Sequence, residues 1–213
     1  MTDAALSAPA EPVDHAVHEH VDPQANKIGM WLFLTTEVLL FGGLFISYAV
    51  YYYVYKFYFK EGSHELSIPM GGLNTVILLT SSLTMVLAIA TLQRGKRGMS
   101  LALLGTTLAF ALGFLVVKSF EWGAKFSHGY YPQGPAIVDQ PQGVKVFVGL
   151  YFLSTGLHAF HVLIGMALIS YVMWRVARGL TTQNRISWID NVGLYWHLVD
   201  LIWIYLFPLY YLI

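Results

Sequence analysis

The chain has 213 residues, of which 56% are hydrophobic and only 11% are charged, and its mean hydropathy is +0.57. A soluble domain usually carries about a quarter charged residues, so this composition excludes an ordinary soluble domain and predicts an integral membrane protein. The net charge is zero and no basic cluster alternates with aromatic residues, which argues against a nucleic-acid partner. Because the chain has no cysteine, disulfides and thiolate metal sites are excluded.

The first 26 residues are rich in Ala, Pro, His, Asp and Glu and contain little apolar surface. This composition predicts a disordered polar tail. The start also lacks the basic segment and apolar core that mark a cleavable signal peptide. His15, His18 and His20 offer a possible metal site within the tail, but a plain disordered segment is the favoured interpretation.

Five apolar stretches follow, and each is long enough for a helix that crosses a hydrocarbon core of about 30 Å. In lipid the backbone polar groups must be satisfied within the segment, so each stretch is predicted to be α-helical. The predicted fold is therefore all-α, an integral membrane bundle of five transmembrane helices within residues 27–213. The spans are expected at residues 28–55, 70–92, 99–120, 146–174 and 191–213, with outer loops at 57–69 and 121–145.

The charges between the spans predict the orientation of the chain. One side has seven Lys or Arg residues, in dense clusters (Lys27, Arg94, Lys96, Arg97, Arg175, Arg178 and Arg185), and the other side has five that are more widely spread (Lys56, Lys60, Lys118, Lys125 and Lys145). The positive-inside rule then places the N-terminus in the cytoplasm and the C-terminus outside.

Glu37 lies within the first span, where a charge costs roughly 2.5–3.5 kcal/mol or more at a helix centre. It is interpreted either as a proton or lipid-headgroup site or as a carboxyl group bonded to a neighbouring helix. The "LFGG" that follows it and the "MGGL" of the second span are small-residue motifs, which predict close contacts between helices.

His158 and His161 in the fourth span are three residues apart and so share one helix face. With His197 as a third ligand they suggest haem or metal ligation, and hydrogen bonding between helices is the favoured alternative.

Two further pairs have the same spacing. His197 and Asp200 are expected to bond to each other, so that Asp200→Leu would disrupt assembly by leaving His197 without a partner. Lys118 and Glu121 predict an interfacial ion pair with stems that snorkel toward water.

The segments "GMWLFLTTEVLLFGGLF", "KSFEW", "STGLHAFHVLIG" and "GLYWHLVDLIWIYLFPLYYL" together resemble subunit III of cytochrome c oxidase and related haem-copper oxidases. The resemblance covers nearly all of residues 27–213. It implies a non-catalytic core subunit of a proton-pumping terminal oxidase in aerobic respiration. Such a subunit holds no haem, copper or catalytic residue of its own, because these lie in partner subunits.

The resemblance also implies partners and roles. The chain is expected to pack on subunit I, in a complex that includes subunit II, to bind phospholipid and to support proton uptake and sustained turnover. Glu37 matches the family's buried carboxyl group, and Glu121 matches an acid at the end of a later helix. His158, His161, His197 and Asp200 match polar positions that join the helices.

Larger members of this family have seven helices, so a five-helix chain is expected to come from a bacterial cytoplasmic membrane. What replaces the other two helices is left open, and the Pro/Gly-rich loop at 128–143 has no assigned role.

Several other functions are weighed against this one. The nearest alternatives are subunit III of a quinol oxidase and the homologue that accompanies nitric oxide reductase. A b-type membrane cytochrome that uses His158, His161 and His197 is less favoured. A small transporter with Glu37 and Asp200 on a proton path is disfavoured by the odd number of unbroken spans.

Overall fold

The computed structural model describes residues 23–180 and 187–213 of the chain. Within these ranges the structure has six α-helices and no strand, and five of the helices are long and apolar enough to cross a membrane. The predicted all-α bundle of five spans is therefore confirmed. The helices are α1 (Pro23–Val54), α2 (Lys56–His64), α3 (Ile68–Gln93), α4 (Arg97–Ser127), α5 (Gln142–Ala177) and α6 (Ser187–Tyr211). Residues 1–22 of the expected tail, which include its three histidines, lie outside the described residues. The last four residues of the expected tail, 23–26, belong to α1, which begins at Pro23.

The short helix α2 occupies a segment that was predicted from the sequence to be a loop, and that prediction is wrong. Phe59 is fully buried, with its ring 5.3 Å from the rings of both Phe147 and Tyr48. Gly62 lies directly against Phe147, where a Cβ atom would come within 2.4 Å of the ring. Aromatic packing of one face of α2 therefore holds it as a helix on the end of the bundle.

Helix α4 extends one to two turns beyond its predicted end at residue 120, and α5 begins earlier than predicted. The cause is that the polar residues of this segment are not exposed. Lys118, Glu121 and Lys125 all face the interior of the bundle, on one side of the helix. The connecting segment, residues 128–141, folds onto the bundle through turns at Gly129 and Gln133, and it buries Ile137.

Helix α6 packs through its two large indoles. Trp196 and Trp203 are fully buried, and their Nε1 atoms donate to Ser81 and Thr75 of α3 at 3.1 Å. The indole of Trp196 packs directly against Gly165 of α5, where a Cβ atom would come within 2.6 Å of the indole. Close packing at glycine therefore fixes the distance between α5 and α6.

The two predicted glycine motifs behave differently. Gly71 of the "MGGL" motif lies against Phe207 and Tyr211 of α6, so the expected contact is present. A Cβ atom added to Gly42 or Gly43 of the "LFGG" motif would meet no described atom within 4 Å, so the close helix contact expected at this motif is not made within the described residues and stays a prediction. Both of these glycines lie on the sparsely covered helix α1, where they leave open space beside the bundle.

The two ends of the bundle differ in charge. At one end, Arg97 donates to the carbonyl of Val176 at 2.6 Å, which brings together the connections rich in arginine. We call this the arginine end. At the other end, which we call the α2 end, Ser63 of α2 donates to the carbonyl of Ile213 at 3.1 Å. Lys118 and Lys125 are buried, so three of the five cations assigned to this side remain at its surface.

Candidate functional site

The clearest polar contact within the membrane joins α1 to α5. The Glu37 Oε2 atom lies 2.8 Å from Nε2 of His161, and Nδ1 of the same ring lies 2.8 Å from the backbone carbonyl of Leu157. The Glu37 side chain is 14% exposed and that of His161 is 9% exposed, so the pair lies at the edge of the bundle. Phe41 covers the imidazole edge-on at 5.3 Å. Of the two interpretations of Glu37, the structure shows the bond to a neighbouring helix.

Hydrogen-bond chemistry constrains the protons of this pair. A carbonyl oxygen can only accept, so Nδ1 of His161 must carry a hydrogen. One further hydrogen then lies between Nε2 and Glu37, either on the ring beside a carboxylate or on the carboxyl group beside a neutral ring. Both arrangements are neutral overall, which makes the pair much less costly to bury than two separate charges. The site therefore holds one proton that can move between two atoms.

His158 lies one turn from His161 but has different surroundings. It is fully buried, 5.4 Å from the ring of Phe114 and 5.2 Å from the ring of Trp203. Neither ring nitrogen has a hydrogen-bond partner among the residues that the structure describes. The favoured interpretation of the two histidines, hydrogen bonding between helices, therefore applies to His161 alone.

The expected bond between His197 and Asp200 is absent, and that prediction is wrong. His197 Nδ1 instead lies 2.6 Å from the hydroxyl of Ser82 on α3. Asp200 is 3% exposed, and neither carboxyl oxygen forms a hydrogen bond of ordinary geometry within the described ranges, although the hydroxyl of Ser82 lies close to the carboxyl group. The i, i+3 spacing does place His197 and Asp200 near each other on α6, but the imidazole of His197 is directed toward helix α3.

The histidines do not converge on one point. His161 bonds to Glu37, His197 bonds to Ser82 and His158 lies between two aromatic rings. Across residues 23–180 and 187–213 there is no group of three or more His, Asp or Glu side chains that could hold a metal ion.

A second polar cluster lies between α4, α5 and α6. Lys118 donates to Glu121 Oε2 at 3.1 Å, and the hydroxyls of Tyr151 and Tyr211 each donate to Oε1 at 2.7 Å. Lys118 is 3% exposed and Glu121 is 4% exposed. The ion pair that the sequence predicted is present, but the interfacial, snorkelling arrangement is wrong. A buried pair with this many additional bonds offsets its desolvation far better than an isolated pair does.

The two tyrosines and Lys125 were not predicted from the sequence as members of this cluster. Lys125 is 8% exposed, donates to the carbonyl of Glu65 at 3.0 Å and lies 4.9 Å above the ring of Tyr130. One signal was available, because residues 118, 121 and 125 follow helical spacing and so share a face. No signal in the sequence linked that face to Tyr151 or Tyr211, since both come from distant helices.

A cavity of about 270 Å³ opens beside this cluster at the α2 end. Its walls come from α4, from the start of α3 and from two connecting segments (Glu65, Ser67, Met70, Glu121, Ala124, Lys125, His128 and Tyr130). The hydroxyl of Tyr130 is buried there without a described partner, and burial raises the pKa of Tyr130 to about 12. This hydroxyl is therefore protonated at neutral pH and available as a donor.

Comparison with known proteins supports the resemblance seen in the sequence. The family described as cytochrome c oxidase subunit III matches residues 10–213. A cytochrome c oxidase subunit 3 from Synechocystis is 30% identical, over 93% of this chain and 79% of its own length. A cytochrome bo(3) ubiquinol oxidase subunit 3 from Pseudomonas aeruginosa is 31% identical, over 96% of this chain and 93% of its own length.

A fused relative extends the comparison. The haem-copper oxidase subunit I+III of Aeropyrum pernix is 32% identical over 92% of this chain, which spans 24% of that longer protein. The match along almost the whole chain, together with the five-span bundle, places this protein among the third subunits of haem-copper oxidases. The chain belongs to the cytochrome c oxidase subunit III family.

Proposed function

We propose that this chain is a non-catalytic core subunit of a proton-pumping terminal cytochrome c oxidase in aerobic respiration, in which it packs on subunit I. The observation that carries the proposal is the family match over residues 10–213. The fused relative supports direct contact, because in that protein the two subunits form one polypeptide. Haem and copper then belong to the partner subunits, and subunit II completes the electron path.

The second candidate is the same role in a quinol oxidase. It is favoured by the relative from Pseudomonas aeruginosa, which is named for ubiquinol and is as similar to this chain as the relatives named for cytochrome c. Relatives named for the two donors match this chain about equally, so its sequence does not separate them. The companion subunits therefore decide the electron donor. The feature that separates the two candidates is whether a companion subunit has a copper-binding domain for electron uptake.

The proposed location is a bacterial cytoplasmic membrane, with the arginine end in the cytoplasm and the α2 end outside. The support is the distribution of charge. Seven cations were assigned to the cytoplasmic side, whereas Lys118 and Lys125 are withdrawn into the bundle at the other end. Burial of these two lysines strengthens the asymmetry on which the positive-inside rule depends.

The proposed role within the complex is to bind phospholipid and to support proton uptake and sustained turnover. The Glu37–His161 pair supports it, since a neutral pair that holds one movable proton lies at the edge of the bundle. Helix α1 is the most exposed span, with apolar side chains such as Leu32, Leu39 and Ile46 pointing outward. Acyl chains or a partner helix would cover that surface.

Affinity purification from native membranes through a tag on the C-terminus tests this proposal. A haem-copper subunit I should copurify in equal amount, with a haem spectrum and oxygen reduction driven by reduced cytochrome c. Activity with quinol and no activity with cytochrome c would favour the second candidate. A colourless, isolated monomer from the same membranes would refute both.

A further inference from the structure

The cavity at the α2 end leads to a series of buried polar side chains. Glu121 forms part of the cavity wall and also accepts hydrogen bonds from Lys118, Tyr151 and Tyr211 inside the bundle. Every one of these side chains is almost completely buried. A carboxyl group that faces the cavity on one side and a hydrogen-bonded network on the other can pass protons between the two.

The next group inward is His158. The Lys118 amine lies 5.2 Å from the Trp203 ring, and the His158 ring lies 5.2 Å from the same indole. His158 has two buried ring nitrogens without a partner among the described residues, which is a costly arrangement unless the site exchanges protons or admits water. The indole thus places an unpaired, titratable ring close to the Lys118–Glu121 pair.

His161 follows one helical turn further along α5, and it shares its proton with Glu37. Residues three apart on a helix are neighbours on one face. The groups Glu121, Lys118, His158 and His161 therefore follow one another from the cavity to the edge of α1, with no described hydrogen bond between Lys118 and His158 or between His158 and His161. We call this series the polar file.

The buried residues of α5 are different between the Glu37–His161 pair and the arginine end. Toward the arginine end, the buried residues of α5 that follow His161 are apolar: Val162, Ile169, Val172 and Val176. On α5, then, titratable buried side chains extend from the Glu37–His161 pair only toward the α2 end.

We propose that the Glu37–His161 pair exchanges its shared proton with water at the α2 end, through the polar file and the cavity. For each proton that moves inward from the cavity to the pair, one proton leaves the pair and returns along the same groups to water at the cavity, so the pair keeps one shared proton and no co-reactant is consumed. This role goes beyond packing and lipid contact. It gives the subunit a titratable site connected to the outer side of the membrane, which is a role separate from the support of proton uptake.

Other charged groups face the file and set its local field. Glu65 and Lys125 line the cavity beside Tyr130, and Lys125 also lies 5.8 Å from the ring of Tyr151. His128 forms the remaining titratable part of the wall. These groups leave the entrance mixed in charge, which suits water and protons better than a fixed anion or cation.

Hydrogen–deuterium exchange of the Glu37–His161 pair in the purified complex tests the proposal. The exchange is followed in D2O by the infrared bands that are lost in Glu37→Gln. Ala124→Trp fills the cavity, and Ser67→Phe is a second filling variant at a position whose hydroxyl caps no helix. The matched control is Gly123→Trp, one residue away, where the added side chain meets no described atom within 4 Å of its Cβ.

The expected result is that filling the cavity, or replacing His158 with Phe, slows exchange at the pair by at least about tenfold. Gly123→Trp should leave the rate unchanged. Equal rates in the wild type, both filling variants and His158→Phe would overturn the proposal, because the pair would then reach water by another route. The readout is exchange and not oxygen reduction, so it distinguishes failure of this path from failure of the proposed oxidase function.

Discussion

Replacing Glu121 with Leu is the sharpest test of the buried cluster between α4, α5 and α6. The substitution removes the counter-ion of Lys118 and the acceptor for the hydroxyls of Tyr151 and Tyr211. Lys118 is 3% exposed and would remain as an uncompensated buried charge. Breaking a buried ion pair from one side usually costs about 3–5 kcal/mol. We therefore expect the free energy of unfolding to fall by about that amount.

The double variant separates the ion pair from simple packing. Lys118→Met combined with Glu121→Leu removes both charges and keeps similar volumes, so no buried charge is left alone. Replacing a whole buried pair by apolar residues is often neutral or stabilising. The double variant should thus be more stable than Glu121→Leu alone, within about 2 kcal/mol of the wild type.

Unfolding of the purified chain by sodium dodecyl sulfate in mixed micelles, followed by circular dichroism, measures these differences. Glu61→Leu is the control, because Glu61 is exposed on α2 and surface changes are usually within about 0.5 kcal/mol. A loss below about 1 kcal/mol for Glu121→Leu would refute the reasoning. So would a double variant that is no more stable than the single one.

Gly165→Ala should cost about 1–3 kcal/mol by the same assay, since its Cβ would lie 2.6 Å from Trp196, whereas Gly149→Ala on the same helix meets open space. Asp200→Leu should not lower the free energy of unfolding, because its buried oxygens form no hydrogen bond of ordinary geometry with a described residue; failed assembly would contradict this. In the assembled oxidase, Glu37→Ala should leave initial oxygen reduction largely intact and speed the loss of activity during turnover. Immediate loss of activity at full subunit content would contradict this.

The spans could be predicted because the apolar runs are long and the bilayer fixes the length of a helix. The ends of the spans could not be predicted in the same way. A run that ends at a charge looks like the end of a helix in the sequence, yet α4 continues through Lys118, Glu121 and Lys125 to Ser127. Its charges are buried because two tyrosines from other helices bond to them, and hydropathy carries no information about such partners.

The small helix α2 shows a second limit. Its segment is polar on average, and for that reason a loop was predicted there. Only Phe59, Gly62 and Ser63 are buried, and each meets a residue that is distant along the chain. A helix of nine residues is marginal by itself, so it is the tertiary contact that makes this segment helical.

Three pairs of polar residues have the spacing i, i+3: Lys118 and Glu121, His158 and His161, and His197 and Asp200. Together they show what this spacing predicts and what it does not. Lys118 and Glu121 bond to each other because the long lysine stem can bend toward its neighbour. The rings of His161 and His197 instead reach adjacent helices, where they bond to Glu37 on α1 and Ser82 on α3. Spacing therefore predicts a shared face, whereas side-chain length and the adjacent helix decide the partner. In this bundle His161 and His197 each join two helices, and loss of either bond should loosen the contact between helices before it affects any single helix.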